Sequence, residues 1–291
     1  MDDDPSSAAL DFACGHRTYN DHNGTDFAIL DRRVMASGVP VTAAADGVVA
    51  RLRDGVADAG FKEGDRASLA GKNCGNGLVL QHGNGWETQY CHLRRGSIIV
   101  RAGQRVQAGQ KMGLVGLSGM TEFPHVHLTV RHNGQSIDPF IGETRAQQCG
   151  PGEHPLWRAD LQPVLKYEPF AIYHAGFADR RPSPDEVRAG DFDEIALSRT
   201  SALIMLWADI FGPAENDMLT MRIKGPDGAV LAEQTRQIKT TQAIHFTAIG
   251  RKRPDHDWPA GKYVGEIVLS RSSNTEGGPL DQRVVREAEI H

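Results

Sequence analysis

The first half of the chain alternates short runs of apolar and β-branched residues with glycine-rich breaks, and almost nothing before Phe140 has the period of a helix. This pattern predicts short strands over residues 41–45, 47–52, 77–82, 87–93, 98–100 and 125–131. Asn84-Gly85 and Asn133-Gly134 lie between such runs, where an Asn-Gly pair favours a tight hairpin turn. We therefore expect an antiparallel sheet in this half.

Two stretches interrupt the pattern of short strands. Residues 56–73 contain three glycines and mixed charge, which predicts an inserted loop of the kind that often lines a functional cleft. Residues 150–163 are rich in proline and glycine, which is typical of a linker. We place a domain boundary near residue 160, so that residues 1–160 and 161–291 form two domains.

Beyond the linker, the apolar runs become longer. They cover residues 194–198, 202–210, 218–224, 230–237, 243–249, 262–270 and 282–289, with turn signals at short spacing. Seven such runs predict a β-sandwich, and the immunoglobulin-like designation rests on analogy at the level of the fold. The predicted class is therefore all-β, and we find no candidate chemistry in the second half.

Charge and hydropathy exclude two classes of partner. The net charge is -5 and the isoelectric point is near 6.2. Nucleic-acid binding needs a concentrated basic surface, and neither half has one. The longest apolar stretch, residues 202–208, is closed by Asp209 and is far shorter than the roughly 20 residues of a membrane-spanning helix. We expect a buried strand there and no transmembrane segment.

The cysteines bear on the cellular compartment. Residues 1–10 are acidic and lack the basic and apolar runs of a signal peptide, so either the protein stays inside the cell or a signal has been removed. Cys14, Cys74, Cys91 and Cys149 all lie in the first half, which favours the second option. The hairpin would bring Cys74 to face Cys91 and leave Cys14 to pair with Cys149. Four reduced thiols are the alternative, and a zinc cluster is disfavoured because no C-x-x-C spacing occurs.

Five residues are candidates for a metal site: His22, Asp26, His92, His125 and His127. Each alone is compatible with an ordinary loop or surface position. The spacing of the last two changes that, because residues two apart on a strand project to the same face. His125 and His127 would therefore point together from one side of the sheet.

The segment from His22 to Asp26 supplies a nitrogen and an oxygen donor. Asn23-Gly24 lies between them and favours a turn, which would let both side chains converge. Catalytic zinc usually takes three protein ligands and leaves a fourth position open, whereas structural zinc is closed by four. Because there are more donors here than three, the remaining histidines are available as acid or base and for charge stabilisation.

At this point the sequence resembles the M23 peptidases, also called the lysostaphin or LytM type, whose hallmarks are an H-x-x-x-D segment and a later H-x-H segment. The matching segments, in order along the chain, are H-N-G-T-D-F at 22–27, G-V-P-V to A-D-G-V-V at 38–49, Y-C-H-L at 90–93, G-Q-R-V-Q-A-G-Q at 103–110, G-L-V-G at 113–116, S-G at 118–119, P-H-V-H-L at 124–128 and D-P-F at 138–140. The resemblance covers roughly the first 145 residues. Two features depart from it: the longer insertion at 56–73, and Cys91 where a small residue is usual.

The resemblance implies an antiparallel LytM-type metallopeptidase domain with one Zn²⁺ per chain. His22, Asp26 and His127 would bind the metal, and His92 and His125 would act on the water and the tetrahedral intermediate. The implied activity is zinc-dependent endopeptidase cleavage of peptidoglycan stems or cross-links. If the disulfides form, the implied location is the periplasm or the exterior.

Three other functions compete with that of a zinc endopeptidase, and each would need a different set of residues. A degenerate M23 protein would bind the wall or activate another wall hydrolase without cutting, but such proteins usually lack a ligand, and all five residues are present here. A lipoyl-type carrier, suggested by residues 103–119 and Lys111-Met112, would have no use for the histidines. A structural zinc domain would have a closed site.

Overall fold

The structure, a computed structural model, describes residues 1–291 apart from 5, 7, 8, 63, 65, 146, 147, 194, 195 and 273–279. The chain divides into two compact units. The first comprises Met1–Cys14 with Thr18–Lys166, and the second comprises Gly15–Arg17 with Tyr167–His291. The assignment of residues 1–160 as a peptidase domain and 161–291 as an accessory domain stays a prediction.

The first unit is an antiparallel β structure with one short helix among its described residues. Its elements are β1 (Thr25–Ala28), α1 (Arg32–Ser37), β2 (Pro40–Thr42), β3 (Gly47–Arg53), β4 (Asn76–Gly83), β5 (Trp86–Leu93), β6 (Arg105–Val106), β7 (Lys111–Leu114), β8 (His125–His132) and β9 (Gln135–Ile137). The main sheet has the order β1-β8-β5-β4-β3-β6, with β9 also paired to β8. A separate small sheet joins β2 to β7. The predicted all-β, antiparallel class is confirmed.

Both predicted hairpin turns are present. Asn84 and Gly85 join β4 to β5 with φ values of 49° and 79°, and Asn133 and Gly134 join β8 to β9 with 50° and 83°. Two consecutive positive φ angles are the requirement of the type I′ turn, which Asn-Gly meets at low cost. These turns set the register of the strands that carry the candidate site.

Alternation along the central strands separates a core face from a second face. Leu78 and Leu80 of β4, Tyr90 of β5, and Leu128 and Val130 of β8 are buried in one hydrophobic cluster. Because strand side chains alternate, the residues between them point to the other side of the sheet. That other face carries the histidines and most of the polar side chains of the site.

The first unit differs from the predicted strands in several places, and the short strands β1, β6, β7 and β9 were not predicted. Residues 98–100 form no strand, although the Ile99 N–H donates to the Met112 carbonyl at 2.9 Å. A single hydrogen bond does not make a ladder, and Ile99 is 65% exposed. The helix α1 was not predicted; Asp31 caps its start by accepting from the Val34 N–H, and Gly38 ends it in the left-handed conformation.

The cysteines form two disulfides. Cys74 pairs with Cys91 and Cys14 with Cys149, with Cα–Cα distances of 4.8 and 5.3 Å. Both distances are within the usual range for a disulfide. The first bridge crosses the open end of the β4–β5 hairpin, one residue before His92. The second joins positions 135 residues apart within the first unit.

The second unit consists of two antiparallel sheets. Its elements are β10 (Ala171–Ala178), α2 (Pro184–Ala189), β11 (Leu203–Phe211), β12 (Met218–Lys224), β13 (Val230–Gln237), β14 (Ile244–Lys252), β15 (Gly261–Arg271) and β16 (Leu280–Ile290). One sheet has the order β10-β11-β14 and the other β13-β12-β15-β16. Their inner faces share one buried cluster that includes Leu206, Ile223 and Ile267. This is a β-sandwich, and its immunoglobulin-like designation stays a prediction.

One sandwich strand was misplaced by the sequence pattern. Of the predicted run 194–198, residues 194 and 195 lie outside the described residues, and 196–198 form no strand. The seventh strand of the sandwich is instead β10. The sequence pattern does not indicate this strand, because it contains Gly176 and glycine usually weakens the assignment of a strand. Here a Cβ at Gly176 would lie 2.9 Å from the Trp207 ring, so close packing requires the glycine.

The two helices among the described residues, α1 and α2, are each six residues long. In the part of the chain that the structure describes, no helix has the length and apolar character needed to cross a membrane.

Candidate metal centre

Three of the five predicted residues converge on one point of the first unit. Asp26 on β1 lies directly opposite His127 on β8, and His22 precedes β1. Asp26 Oδ1 is 2.8 Å from His127 Nδ1 and 3.2 Å from His22 Nε2. The two imidazole nitrogens are 3.1 Å apart. One carboxylate oxygen and two ring nitrogens therefore form a compact triangle of donor atoms.

Gly24 allows this convergence. A Cβ at this position would lie 2.6 Å from His127 Nε2 and 2.6 Å from the Leu128 carbonyl oxygen. The backbone between His22 and Asp26 thus passes directly against the His127 ring, and any larger residue would push the two apart. The H-x-x-x-D spacing works here because its middle residue has no side chain.

Outer hydrogen bonds orient the two histidines. His127 Nε2 lies 3.2 Å from Asn23 Oδ1 and 3.0 Å from Thr129 Oγ1, and His22 Nδ1 lies 3.3 Å from Thr18 Oγ1. Because Asn23 Oδ1 only accepts, His127 carries its proton on Nε2 and directs the Nδ1 lone pair toward Asp26. Two acceptors then face each other at 2.8 Å, which is unfavourable without a proton or a cation between them.

Burial and mutual contacts set the ionisation of this group. Burial alone would raise the pKa of Asp26, but its close contacts with the imidazoles of His125, His127 and His22 outweigh burial and hold that pKa well below its ordinary value. Burial lowers the pKa of His22, and Asp26 offsets this only in part. An ionised carboxylate and a neutral imidazole are the forms that bind metals.

The other two predicted residues border the same point. His125 Nε2 is 3.3 Å from Asp26 Oδ1, and the rings of His92 and His125 have centroids 4.7 Å apart. His92 Nδ1 donates to the Ser118 carbonyl at 2.8 Å, and His125 Nδ1 donates to the Phe123 carbonyl at 2.9 Å. Carbonyls only accept, so both protons are on Nδ1 and both Nε2 atoms are left with lone pairs. Burial, reinforced by the neighbouring His125 ring, lowers the pKa of His92 to about 3.

The backbone around His92 is held in an uncommon conformation. His92 has φ of 62°, in the left-handed region, and its N–H donates to the Cys74 carbonyl at 2.8 Å. Gly75 follows Cys74 and packs against Ser118, the residue whose carbonyl orients the His92 ring. The disulfide, Gly75 and Ser118 together fix where His92 points.

Replacing Gly75 by alanine is expected to destabilise the first unit more than the same change at Gly71. Both glycines have left-handed φ angles, 61° and 70°, so both variants incur about 1–2 kcal/mol of backbone strain. A Cβ at Gly75 would also lie 2.3 Å from the Ser118 backbone, whereas one at Gly71 meets nothing within 4 Å. Overpacking adds about 1–3 kcal/mol. Urea unfolding of the two variants measures the difference, and equal losses would contradict this account.

The insertion at 56–73 lies beside the histidines. The Asp58 carboxylate accepts from the Leu117 N–H at 2.9 Å and from the Arg95 N–H at 2.9 Å. The Phe61 N–H donates to the Thr121 carbonyl at 2.7 Å, and Thr121 Oγ1 is 3.1 Å from His125 Nδ1. The insertion is thus anchored to the segment that carries the partners of His92 and His125, where the sequence pattern placed a cleft wall.

Sequence reasoning missed the outer partners of the histidines. Thr129 had a detectable signal, because it is two positions after His127 and must share its face. Asn23 was noticed only as a turn residue, and Thr18 gave no signal. Tyr90 is buried, and its hydroxyl accepts from the Ala44 N–H at 2.8 Å.

The histidine, aspartate and histidine triangle, with two more histidines beside it on an antiparallel sheet, is a donor set that could hold a metal ion. Residues 20–139 match the model of peptidase family M23. This match, over less than half of the chain, confirms the predicted resemblance to peptidase family M23.

The chain is similar to proteins that are named as peptidases. The chain is 36% identical over 117 residues to peptidoglycan DD-endopeptidase ShyA of Vibrio cholerae. The aligned region covers 40% of this chain and 22% of that protein. The chain is also 34% identical over 122 residues to DD-carboxypeptidase/endopeptidase Mpg of Neisseria meningitidis. That aligned region covers 42% of this chain and 23% of that protein. The chain thus spans under a quarter of the length of these two relatives.

A solved structure also matches in part. The crystal structure of a zinc-containing peptidase from Vibrio cholerae is 32% identical, covers 40% of this chain and 28% of that chain, and has a TM-score of 0.30.

Proposed function

We propose that this protein is a zinc-dependent endopeptidase that hydrolyses peptide bonds in the stems or cross-links of bacterial peptidoglycan. The observation that carries the proposal is the triangle formed by His22, Asp26 and His127, with donor atoms 2.8–3.2 Å apart. The substrate class is taken from relatives that are named peptidoglycan DD-endopeptidases.

The donor set suits one zinc ion per chain. Two imidazole nitrogens and one carboxylate oxygen are a ligand combination found in catalytic zinc sites. In a tetrahedral site with zinc–ligand distances near 2.0–2.1 Å, neighbouring donors are about 3.3 Å apart, close to the separations here. A cation also relieves the facing lone pairs of Asp26 and His127. When bound, zinc would polarise the peptide carbonyl and lower the pKa of water toward about 7.

His92 and His125 are proposed to handle protons and developing charge. Each ring is fixed by an Nδ1–H bond to a backbone carbonyl, so each presents Nε2 toward the site. The free Nε2 of a neutral imidazole accepts a proton, and the protonated ring then donates it to the leaving amine. The same rings, once protonated, stabilise negative charge on the attacked carbonyl oxygen. Their burial excludes competing water.

We also propose an extracytoplasmic location, in the periplasm or outside the cell. Two disulfides persist in oxidising compartments, and the proposed substrate lies there. The β-sandwich is proposed as an accessory domain without catalytic residues of its own.

The test is incubation of the zinc-loaded protein with isolated sacculi, with and without a chelator, followed by mass analysis of released muropeptides. We expect chelator-sensitive conversion of cross-linked dimers to monomers, and the product masses identify the bond that is cut. Absence of release from a protein with one bound zinc would instead favour a regulator that binds the wall or activates another hydrolase.

A further inference from the structure

A cavity of about 230 Å³ lies on the sheet of the first unit, apart from the histidine cluster. It is bordered by β3, β4 and β5, and its walls include Arg51, Arg53, Val79, Gln89 and Cys74. None of the five candidate site residues lines it. The charged residues of its lining are Arg51 and Arg53. The chemistry proposed at the zinc site does not require these two cations.

Strand register places this cavity on the same face of the sheet as the metal centre. On β8 and β5, His127 lies opposite Cys91 and Thr129 opposite Gln89. Gln89 lies opposite Val79 of β4, which in turn lies opposite Arg51 of β3. Residues directly opposite on paired strands share a face. A continuous row therefore leads from the strand of His127 to Arg51.

The side chains along this row are also in contact. Thr129 Oγ1 is 3.0 Å from His127 Nε2, and Gln89 Nε2 lies 3.3 Å from Cys74 Sγ and 3.2 Å from Cys91 Sγ. The disulfide thus forms part of the floor between the metal centre and the arginines. The floor between the metal centre and the arginines is thus made of polar groups, sulfur and the side chain of Val79.

Two of the cations here have no anionic partner. Arg53 donates to the backbone carbonyls of Gly75 and Gly71, at 2.7 and 3.0 Å, which are neutral acceptors. Within the described residues, no carboxylate lies within salt-bridge distance of Arg51 or Arg53. The cavity therefore has positive charge that its own walls do not neutralise.

A third arginine, Arg131, adds positive charge near the cavity. Arg131 lies on the same face of β8 and opposite Glu87. Burial lowers the pKa of Arg131, Glu87 offsets this in part, and the like charge of Arg51 lowers it further. Arg51 is thus close enough to Arg131 to repel it. An anion bound beside Arg51 would relieve that repulsion.

The distance between the metal centre and Arg51 suits an extended peptide. From β8 to β3 is three strand spacings, or about 14 Å. An extended peptide covers about 3.3 Å per residue, so about four residues link a bond at the histidine cluster to a group at Arg51. A peptide with a free carboxylate about four residues from its scissile bond would therefore reach both places.

We propose that the arginine cavity, formed around Arg51 and Arg53, binds a free carboxylate of a peptide whose scissile bond lies at the metal centre. The assignment rests on the proposed function for its substrate class. Arg53 is held by backbone carbonyls and supplies a fixed charge, whereas Arg51 is exposed and supplies the guanidinium that contacts the carboxylate.

Binding tests this assignment independently of turnover. A cross-linked stem-peptide dimer is prepared with free carboxylates and with the same carboxylates amidated, and both are titrated calorimetrically into the zinc-loaded full chain at low salt. We expect the acidic peptide to bind about tenfold more tightly than the amidated one. Arg51→Gln should reduce that ratio to near one. Arg101→Gln removes the same charge from an exposed turn elsewhere in the unit and should keep the ratio.

The outcomes separate the cavity from the catalytic proposal. An acid preference that depends on Arg51 supports the cavity assignment, whether or not the peptide is cut. Equal binding of the two peptides by the wild-type protein, or the same ratio in Arg51→Gln, overturns it even if hydrolysis is rapid. Cleavage of the same two peptides, followed in parallel by mass analysis, reports on the proposed function alone. Circular dichroism and zinc content confirm that both variants are folded.

Discussion

Replacement of His127 by alanine is expected to abolish both metal binding and peptide hydrolysis. Its Nδ1 is the donor closest to Asp26, at 2.8 Å, and lies 3.1 Å from His22 Nε2, so the change leaves only two of three donors. Loss of an outer partner of a ligand alone costs about 10–100-fold in metal affinity, and loss of the ligand itself should exceed that. Zinc content after dialysis and competition with a chromophoric chelator measure the effect.

Asn23→Ala is the matched control for this variant. Asn23 contacts the same imidazole through Nε2 at 3.2 Å but supplies no donor to the triangle. Because Thr129 also contacts Nε2, we expect a loss in zinc affinity of about tenfold, at the lower end of the range for an outer partner. If His127→Ala kept wild-type zinc affinity, the ligand assignment would be wrong, whatever happened to activity.

The parts of the structure that depend on local sequence were predictable. Asn-Gly pairs specify type I′ turns through the backbone preferences of two adjacent residues, and both hairpins are present. Two histidines separated by one residue must share a face of a strand, and His125 and His127 both border Asp26. The facing of Cys74 and Cys91 followed from the hairpin in the same way.

Features that depend on strand register were not predictable. Arg51 reaches the face of Gln89 because β3 has an irregularity between Val49 and Arg51, which shifts the alternation by one residue. Without that bulge, simple alternation would assign Arg51 to the opposite face. Likewise, the need for glycine at position 75 follows from the packing of Ser118, more than forty residues later in the chain, against Gly75. Such pairings arise from the fold and leave no local pattern.

The second large effect is expected from His92→Ala and His125→Ala, which should retain zinc and lose turnover. Neither residue belongs to the triangle, but His125 Nε2 lies 3.3 Å from Asp26 Oδ1, and the His92 ring lies beside the His125 ring, with centroids 4.7 Å apart. Removal of a positioned acid or base costs about 10²–10⁴-fold in rate. The measurement is kcat on a cross-linked stem peptide alongside zinc content. His132→Ala is the control, because His132 stacks on Trp86 at 4.4 Å, outside the cluster, and should affect neither.

The zinc content of His125→Ala also decides what kind of site this is. His125 Nε2 lies 3.3 Å from Asp26 Oδ1, close enough to act as a fourth donor. Four protein ligands would close the coordination sphere, as in structural zinc sites, and leave no position for water. Retention of zinc in this variant, together with loss of turnover, would mean that His125 faces the substrate and that the site is open. Loss of zinc would favour a closed, structural site and contradict the catalytic role assigned to His125.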